Sequence, residues 1–235
     1  MYLNQISHRA TLNAKGGIDM EYLLSKFSHE LRNPLTTVYS TVQLIEMQHP
    51  EVKDFKYWSN LARDLEYMNC LLTELSDFSK SEHLHKTTFS LRTLLEHVSL
   101  SFAASIADSG VEYTSKISPS ITQITGDKTK LQEVFLNLLK NAFDAAAPDM
   151  AIYLEAFSDD KYVYICVRET GCGITETQLP TIFEPFVTYK QNGSGLGLAI
   201  CEKIIKAHGG IISVDSAENV GTTFLISLPI YLYLL

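Results

Sequence analysis

At 235 residues, with 46% hydrophobic and 20% charged side chains, the chain has the apolar content to close one generous core or two smaller ones, which excludes a disordered polyelectrolyte. Its net charge is -8, from 27 acidic against 19 basic residues, and no run of lysine or arginine could neutralise a phosphate backbone, so nucleic acid is not expected as a partner. The four cysteines, Cys70, Cys166, Cys172 and Cys201, nowhere approach CxxC spacing, which argues against a zinc knuckle or a disulfide framework and suits a reducing cytosol.

Residues 1–18 carry no charged start followed by an apolar stretch, so no signal peptide is expected and they read as an N-terminal linker. From Asp19 to Phe78 the apolar period is helical. Leu24, Leu31, Val38 and Ile45 recur every seven residues, with Phe27, Pro34 and Leu35 filling the seam. After MQHPEVKD, with Pro50 and a candidate helix cap at Asp54, a second stripe runs through Trp58, Leu61, Leu65, Met68, Leu72 and Leu75. Two such helices joined by a short turn make an antiparallel hairpin, here placed at residues 19–82. A lone hairpin leaves much apolar surface wet, so two hairpins are expected to pair as a dimeric four-helix bundle.

Inside the first helix, FSHELRNPLTT sets a proline where a helix should lose a hydrogen bond. An Asn-Pro pair also makes a good helix start, with Asn33 as the cap and Pro34 in the first position. The seam keeps its phase from Leu24 through Val38, which a chain break would scramble, so a continuous helix kinked at Pro34 is expected, at a cost of about 3 kcal/mol. His29 then falls on the face opposite the seam, with Asn33 one turn on and Glu30 alongside. A neutral imidazole nitrogen is a nucleophile near neutral pH, an adjacent carboxylate can orient the ring and take its proton, and an amide can position a water or a phosphoryl oxygen.

The polar stretch SKSEHLHKTT reads as a linker, and Glu82, His83 and His85 within it as solvated side chains rather than a metal site. From about Thr88 short alternating strands mix with helices, which predicts an α/β sandwich over residues 88–235. AIYLEAF and YVYICVRE read as neighbouring strands across the turn at SDD, and TTFLISLP as another. Helical patterns sit at DKTKLQEVFLNLLKNAFDAAA and at GLAICEKIIKAHGG, the second stopped by Gly209 and Gly210, with His208 read as a favourable contact with the helix dipole. The closing FLISLPIYLYLL falls short of the roughly 20 residues a spanning helix needs and is split by Pro229, so it reads as a strand with a tail. No membrane segment is expected, and the chain is placed in the cytoplasm, alone or as the cytoplasmic part of a larger sensor.

The second region also carries polar residues in a spaced order. Glu133, Asn137 and Asn141 lie four apart on one helix face, a donor row that suits a hydrated magnesium ion carrying nucleotide phosphates and that a plain polar face would equally supply. RETGCGIT ends a strand with Gly171 and Gly173, glycines that let backbone approach a flat ligand. IFEPFVTYKQNGSGLGLAI then runs an aromatic loop into Gly193, Gly195 and Gly197 at a helix start, where free amide hydrogens favour phosphate. The pattern is neither a Walker A motif nor a Rossmann fingerprint. Cys172, in the first glycine loop, has no neighbouring cation in sequence to activate it.

In this order the segments resemble the sensor histidine kinases of two-component signalling: SHELRNPLT their H box, LNLLKNAFDA the N box, ETGCGIT the G1 box, IFEPFVTYK the F box and NGSGLGLAI the G2 box. The resemblance covers roughly residues 20 to 230, and the short interval between the last two boxes resembles the short-lid subgroup that includes nitrogen-regulation and sporulation kinases. It implies a dimerising phosphoacceptor hairpin followed by a GHKL, or Bergerat-type, ATP-binding domain. ATP would donate its γ-phosphoryl group to His29, and a response-regulator receiver would take it onto an aspartate. Glu30 would be the acidic partner in transfer, Asn33 the residue assisting dephosphorylation of the receiver, and Asn141 the ligand of Mg2+. Glu133, Asn137, Glu169, Gly171, Gly173, Lys190, Gly193, Gly195, Gly197 and Thr222 would line the nucleotide site.

One departure matters. The G1 box of the family begins with aspartate, whose carboxylate accepts the adenine amino group, and this chain has Glu169. The extra methylene is expected either to shift the strand or to lengthen the contact, and losing a charged hydrogen bond of about 1.5 to 3 kcal/mol would weaken ATP roughly tenfold to a hundredfold. A regulatory dimeric scaffold that docks receivers, its nucleotide domain impaired at Glu169, is therefore a second reading. A third, a serine kinase or mechanical ATPase on the same nucleotide fold, leaves SHELRNP unexplained.

Overall fold

The computed structural model describes residues 20–121, 123–190 and 193–230 and divides the chain into two units, Met1–Lys80 and Ser81–Leu235. In the first, α1 (Met20–Gln48) and α2 (Trp58–Lys80) are joined through a 3-10 turn at Pro50–Asp54. Cross-helix bonds fix their direction. Trp58 Nε1 donates to Glu46 Oε1 at 2.6 Å and Arg32 Nη2 to the Leu72 carbonyl at 3.2 Å, so positions rising along α1 meet positions falling along α2, which is an antiparallel hairpin.

Pro34 lies inside α1, which runs unbroken on both sides, so Asn33 caps nothing and the continuous reading holds. Asp54 closes the 3-10 turn instead of capping α2, which starts at Trp58. The face of α1 with reduced exposure carries Ser28, Arg32, Leu35, Tyr39, Val42 and Glu46. The seam read from the sequence divides: Leu24 and Leu35 have reduced exposure, whereas Phe27, Leu31, Val38 and Ile45 are exposed in the single chain, Leu31 at 51%. The α2 stripe divides likewise, with Leu65 buried while Leu61 and Met68 stand exposed. A seven-residue repeat in each helix thus supplies two apolar edges, and one hairpin covers only one of them.

In the second unit β1 (Thr87–Ser90) pairs antiparallel with β3 (Gln123–Gly126), and a five-stranded sheet has the order β2-β4-β5-β7-β6. Its strands are β2 (Glu112–Ile117), β4 (Ala151–Ser158), β5 (Tyr162–Glu169), β6 (Ile211–Ala217) and β7 (Gly221–Pro229), with only the β2–β4 pair parallel. Strict alternation in β4, β5 and β7 puts Ile152, Leu154, Val163, Ile165, Phe224 and Ile226 on the buried face. Against that face pack α3 (Leu91–Ser105), α4 (Lys128–Ala145) and α5 (Gly197–Ala207), whose Leu94, Leu95, Leu131, Leu138, Ile200 and Ile204 are essentially inaccessible. This is the expected α/β sandwich. The stretch read as a linker is helical at Ser79 and Lys80 and strand at Thr87 and Thr88, leaving residues 81–86 between. No helix among the described residues is long and apolar enough to cross a membrane. The tail call at residues 231–235 and the linker call at residues 1–18 fall outside the described residues.

Candidate active site

In the helical unit His29 is exposed on α1, and Asn33 and Glu30 are exposed with it. Its ring has a neighbour on α2: Lys80 Nζ stands 3.5 Å from Nε2. An ammonium can only donate, so this contact needs the lone pair on Nε2 and leaves the ring proton on Nδ1. Glu30 forms a loose pair with Lys26 at 3.8 Å, one turn back on the same helix. The Asn33 carbonyl accepts from the Thr37 hydroxyl at 3.2 Å. The helix beside His29 lacks the amide hydrogen that Pro34 would otherwise supply to the Glu30 carbonyl.

In the sandwich unit the start of α4 is tied down by two side chains. Asp127 caps the helix, its Oδ1 accepting from the amides of Thr129 and Lys130, and its Oδ2 accepts from the His85 amide. Burial alone would raise this carboxyl, but those three amides and the charge of Lys130 hold it below the usual carboxylate range. His208, 3% exposed, accepts the Asp127 amide on Nε2 at 2.9 Å, and its Nδ1 lies 2.7 Å from the Ile204 carbonyl. Both ring nitrogens are committed to a neutral tautomer, and burial pushes the imidazole below its ordinary value. His208 is therefore a neutral buried clamp between α5 and α4, not the cationic dipole partner expected from its place at a helix end.

Along α4, Glu133, Asn137 and Asn141 are half-buried in a row. Asn137 hydrogen-bonds the thiol of Cys201, a core side chain that burial, first, and then the charge of Glu133 push up to about 12. Asn141 Oδ1 accepts from Lys190 Nζ at 2.8 Å, and the same ammonium reaches Asp144 Oδ2 at 2.8 Å. Asp144 was not among the residues expected from the sequence, although its place three residues after Asn141 sets both on one helix face.

Glu169 ends β5 opposite Thr222 of β7, and both are buried, Glu169 at 3% exposure. The β5–β7 register runs unbroken to this pair. The carboxylate curls onto its own loop, where Oε2 accepts the Gly171 amide, and Oε1 is buried with no hydrogen-bond partner among the described residues. Thr222 Oγ1 meets Ser216 Oγ at 2.9 Å, and that hydroxyl also accepts the Ile174 amide.

The first glycine pair has a different use from the one expected. A Cβ at Gly171 would lie 2.1 Å from the Ala145 carbonyl oxygen, and one at Gly173, which has φ +67°, would lie 2.0 Å from the Ala217 carbonyl oxygen. Backbone of the protein itself fills both spaces, so these glycines lock the loop between the end of α4 and the β6–β7 turn. In the second cluster a Cβ at Gly193 would meet Thr188 and one at Gly195 the Phe186–Val187 backbone, whereas Gly197 has nothing within 4 Å. Gly197 also opens α5, whose first turn has no side-chain cap, while α3 and α4 are capped by Ser90 and Asp127. A helix start without a side-chain cap leaves amide donors for an anion, and the open space beside Gly197 gives one room to approach.

A helical hairpin with an exposed imidazole, followed by an α/β sandwich with a glycine-led helix and a buried carboxylate, defines a two-domain class of protein. Residues 19–84 match the model of the His Kinase A (phospho-acceptor) domain, and residues 126–232 that of the histidine kinase-, DNA gyrase B-, and HSP90-like ATPase. The chain is 32% identical over 209 residues to the signal transduction histidine-protein kinase AtoS of Escherichia coli (strain K12), covering 88% of this chain and 34% of AtoS. Among solved structures it resembles full-length ShkA in complex with AMPPNP (TM-score 0.75, 25% identity, 89% of this chain and 46% of that one). It also resembles the catalytic domain of the histidine kinase ThkA (TM-score 0.57, 32% identity, 62% of this chain and 95% of that one). ThkA in complex with the response regulator protein TrrA matches at TM-score 0.63 and 27% identity, over 88% of this chain and 61% of that one. The chain belongs to the sensor histidine kinase family. It spans between 34% and 61% of the length of the curated relatives it matches.

Proposed function

We propose that this chain is an ATP-dependent protein-histidine kinase: His29 Nε2 attacks the γ-phosphorus, the bond to the β,γ-bridging oxygen breaks, ADP leaves, and the phosphoryl group passes to an aspartate of a response-regulator receiver. The observation that carries the reading is Glu169. A buried carboxylate oxygen with no partner is an acceptor in want of a donor, and an amino group on a purine supplies one. Thr222 and Ser216 bring hydroxyls to the same strand end. The open amides at Gly197 suit the phosphates, and the complex of ShkA with AMPPNP supports a nucleotide on this fold.

Asn141 and Asp144 supply two hard oxygens, the donors Mg2+ takes when nucleotide phosphates and water fill its remaining positions, and the Lys190 ammonium already sits on both, so the residues fit a cation. When bound, Mg2+ supplies charge neutralisation at the phosphates. His29 supplies the nucleophile, Lys80 a positive charge within reach of Nε2, and Glu30 a carboxylate to accept the ring proton. Asn33, one turn on, positions the water of a phosphatase step on the receiver. The complex of ThkA with TrrA supports a receiver as partner. The uncovered seam through Phe27, Leu31, Val38 and Ile45 supports a homodimer. The four cysteines, none of them joined in a disulfide, suit the cytoplasm.

Incubation with γ-labelled ATP should give acid-labile label that disappears in His29→Ala. Label that is acid-stable, or that survives this substitution on serine, would refute the assignment.

A further inference from the structure

Lys190 lies in the aromatic segment ahead of α5, yet its ammonium is seated on α4, 2.8 Å from Asn141 Oδ1 and 2.8 Å from Asp144 Oδ2. The two acceptors are three residues apart and so project from one face of the helix. One is a neutral amide oxygen and the other a carboxylate, both hard donors. Two protein oxygens leave the remaining positions of a divalent ion to water or substrate, so the seat binds weakly alone and more tightly when phosphates join it. All three side chains are at least partly exposed, so a cation from solvent can reach the seat without unfolding anything.

We propose that Asn141 and Asp144 together form a cation seat which the Lys190 ammonium occupies, so that a divalent cation enters by exchange with the ammonium and Asp144 is a metal ligand beside Asn141. The role of this exchange rests on the ATP-site reading; the seat itself does not. With Lys190 in place its charge and that of Asp144 cancel. After exchange the seat holds a divalent ion and the ammonium is released, so positive charge rises where phosphates would lie. Lys190 thereby acts as an internal counter-ion: it spares Asp144 an uncompensated charge in the empty site and must be displaced when the site fills.

The competition is modest because the pair is exposed. A lysine–carboxylate bridge of this kind is worth up to about 1 kcal/mol, so removing the ammonium should tighten cation binding by about fivefold at most. The test is a Mn2+ titration of the full chain without nucleotide, followed by paramagnetic broadening of the amide resonances of residues 141–145, with Mg2+ as the competitor. Lys190→Met is expected to show broadening at a Mn2+ concentration about fivefold lower than wild type, reversed by Mg2+, and Lys190→Met combined with Asp144→Asn to lose it. Equal midpoints in wild type and Lys190→Met, or a site that survives loss of the Asp144 charge, would overturn the proposal. Lys190→Gln serves as the second variant if Lys190→Met does not give a dispersed spectrum. Adding a non-hydrolysable ATP analogue without metal separates the two claims. Shifts at Glu169 and Gly197 report the nucleotide site alone, and their absence would sink the ATP reading while the manganese result stood.

Discussion

Replacing Glu169 with glutamine should move two properties in opposite directions. The Glu169 carboxylate is 3% exposed, with Oε2 on the Gly171 amide and Oε1 without a hydrogen-bond partner among the described residues. An unmet buried acceptor costs about 1–3 kcal/mol, and more when charged. Glutamine keeps one oxygen for Gly171 and removes the charge, so the empty domain should gain about 1 kcal/mol. For a domain of roughly 150 residues that raises the melting temperature by about 2–4 °C. In the complex the same change is harmful. The carboxylate serves two donors, one on each oxygen, whereas the amide has a single acceptor and must present its own donor to one of them. Losing a charged hydrogen bond of about 1.5–3 kcal/mol weakens the nucleotide roughly tenfold to a hundredfold. Differential scanning calorimetry on the empty protein and titration calorimetry with a non-hydrolysable ATP analogue read the two effects. An unchanged affinity in Glu169→Gln would refute the reasoning, because Oε1 would then have no ligand to meet.

Leu31→Glu places a charge in the uncovered seam, and if two copies of that seam meet, each buried leucine is worth about 1.5–3 kcal/mol. Sedimentation equilibrium should therefore show the dimer constant weakened by roughly a hundredfold or more, and an unaltered dimer would exclude this face as the interface. For His208, whose folded value is depressed, the unfolded chain binds the extra proton. Stability should be complete above the unfolded value of about 6.5 and fall as pH drops below it toward the folded value. Lys86 and Lys130 add to the depression and Asp127 opposes it, and the Asp127 carboxyl itself titrates in a separate, more acid window. Thermal melts from pH 8 to 5 should slope downward for the wild type, and that component should vanish in His208→Gln; a slope that persists unchanged would assign it elsewhere.

The parts legible in the sequence are those where period, cap and stop agree. The α4 stretch has an apolar stripe and an aspartate cap, α5 ends on paired glycines, and β4, β5 and β7 alternate strictly. By the same standard α3 was readable, since Leu91, Leu94, Leu95, Val98 and Phe102 follow a helical period behind the Ser90 cap, but no expectation was placed on it. The short strands β1 and β3 have four residues each, too few for a period to show, and exist because they pair with each other. The heptad positions of the hairpin are apolar as the sequence indicates, but their division between the two edges is not legible there. A heptad pattern reports which positions avoid water and not which chain covers them, and α1 carries a second edge through Leu35, Tyr39 and Val42. At Gly171 and Gly173 the sequence shows the missing Cβ but not what fills the space, and the occupant is backbone.

The Glu169 substitution also bears on the choice between an enzyme and a scaffold that has abandoned nucleotide. Glu169 pairs with Thr222 at the end of an unbroken β5–β7 register. The extra methylene is absorbed by curling the carboxylate onto the Gly171 amide, which leaves one oxygen available at the same strand end. A scaffold has no use for that oxygen. An unpaired buried carboxylate is destabilising in the empty protein, and any neutral residue of similar size would relieve it. The arrangement becomes favourable only when a donor from outside completes it, and Gly171, with no room even for a Cβ, holds the loop in the shape that keeps Oε1 free. On the proposed reading, the aspartate-to-glutamate difference changes how the acceptor is presented rather than removing it.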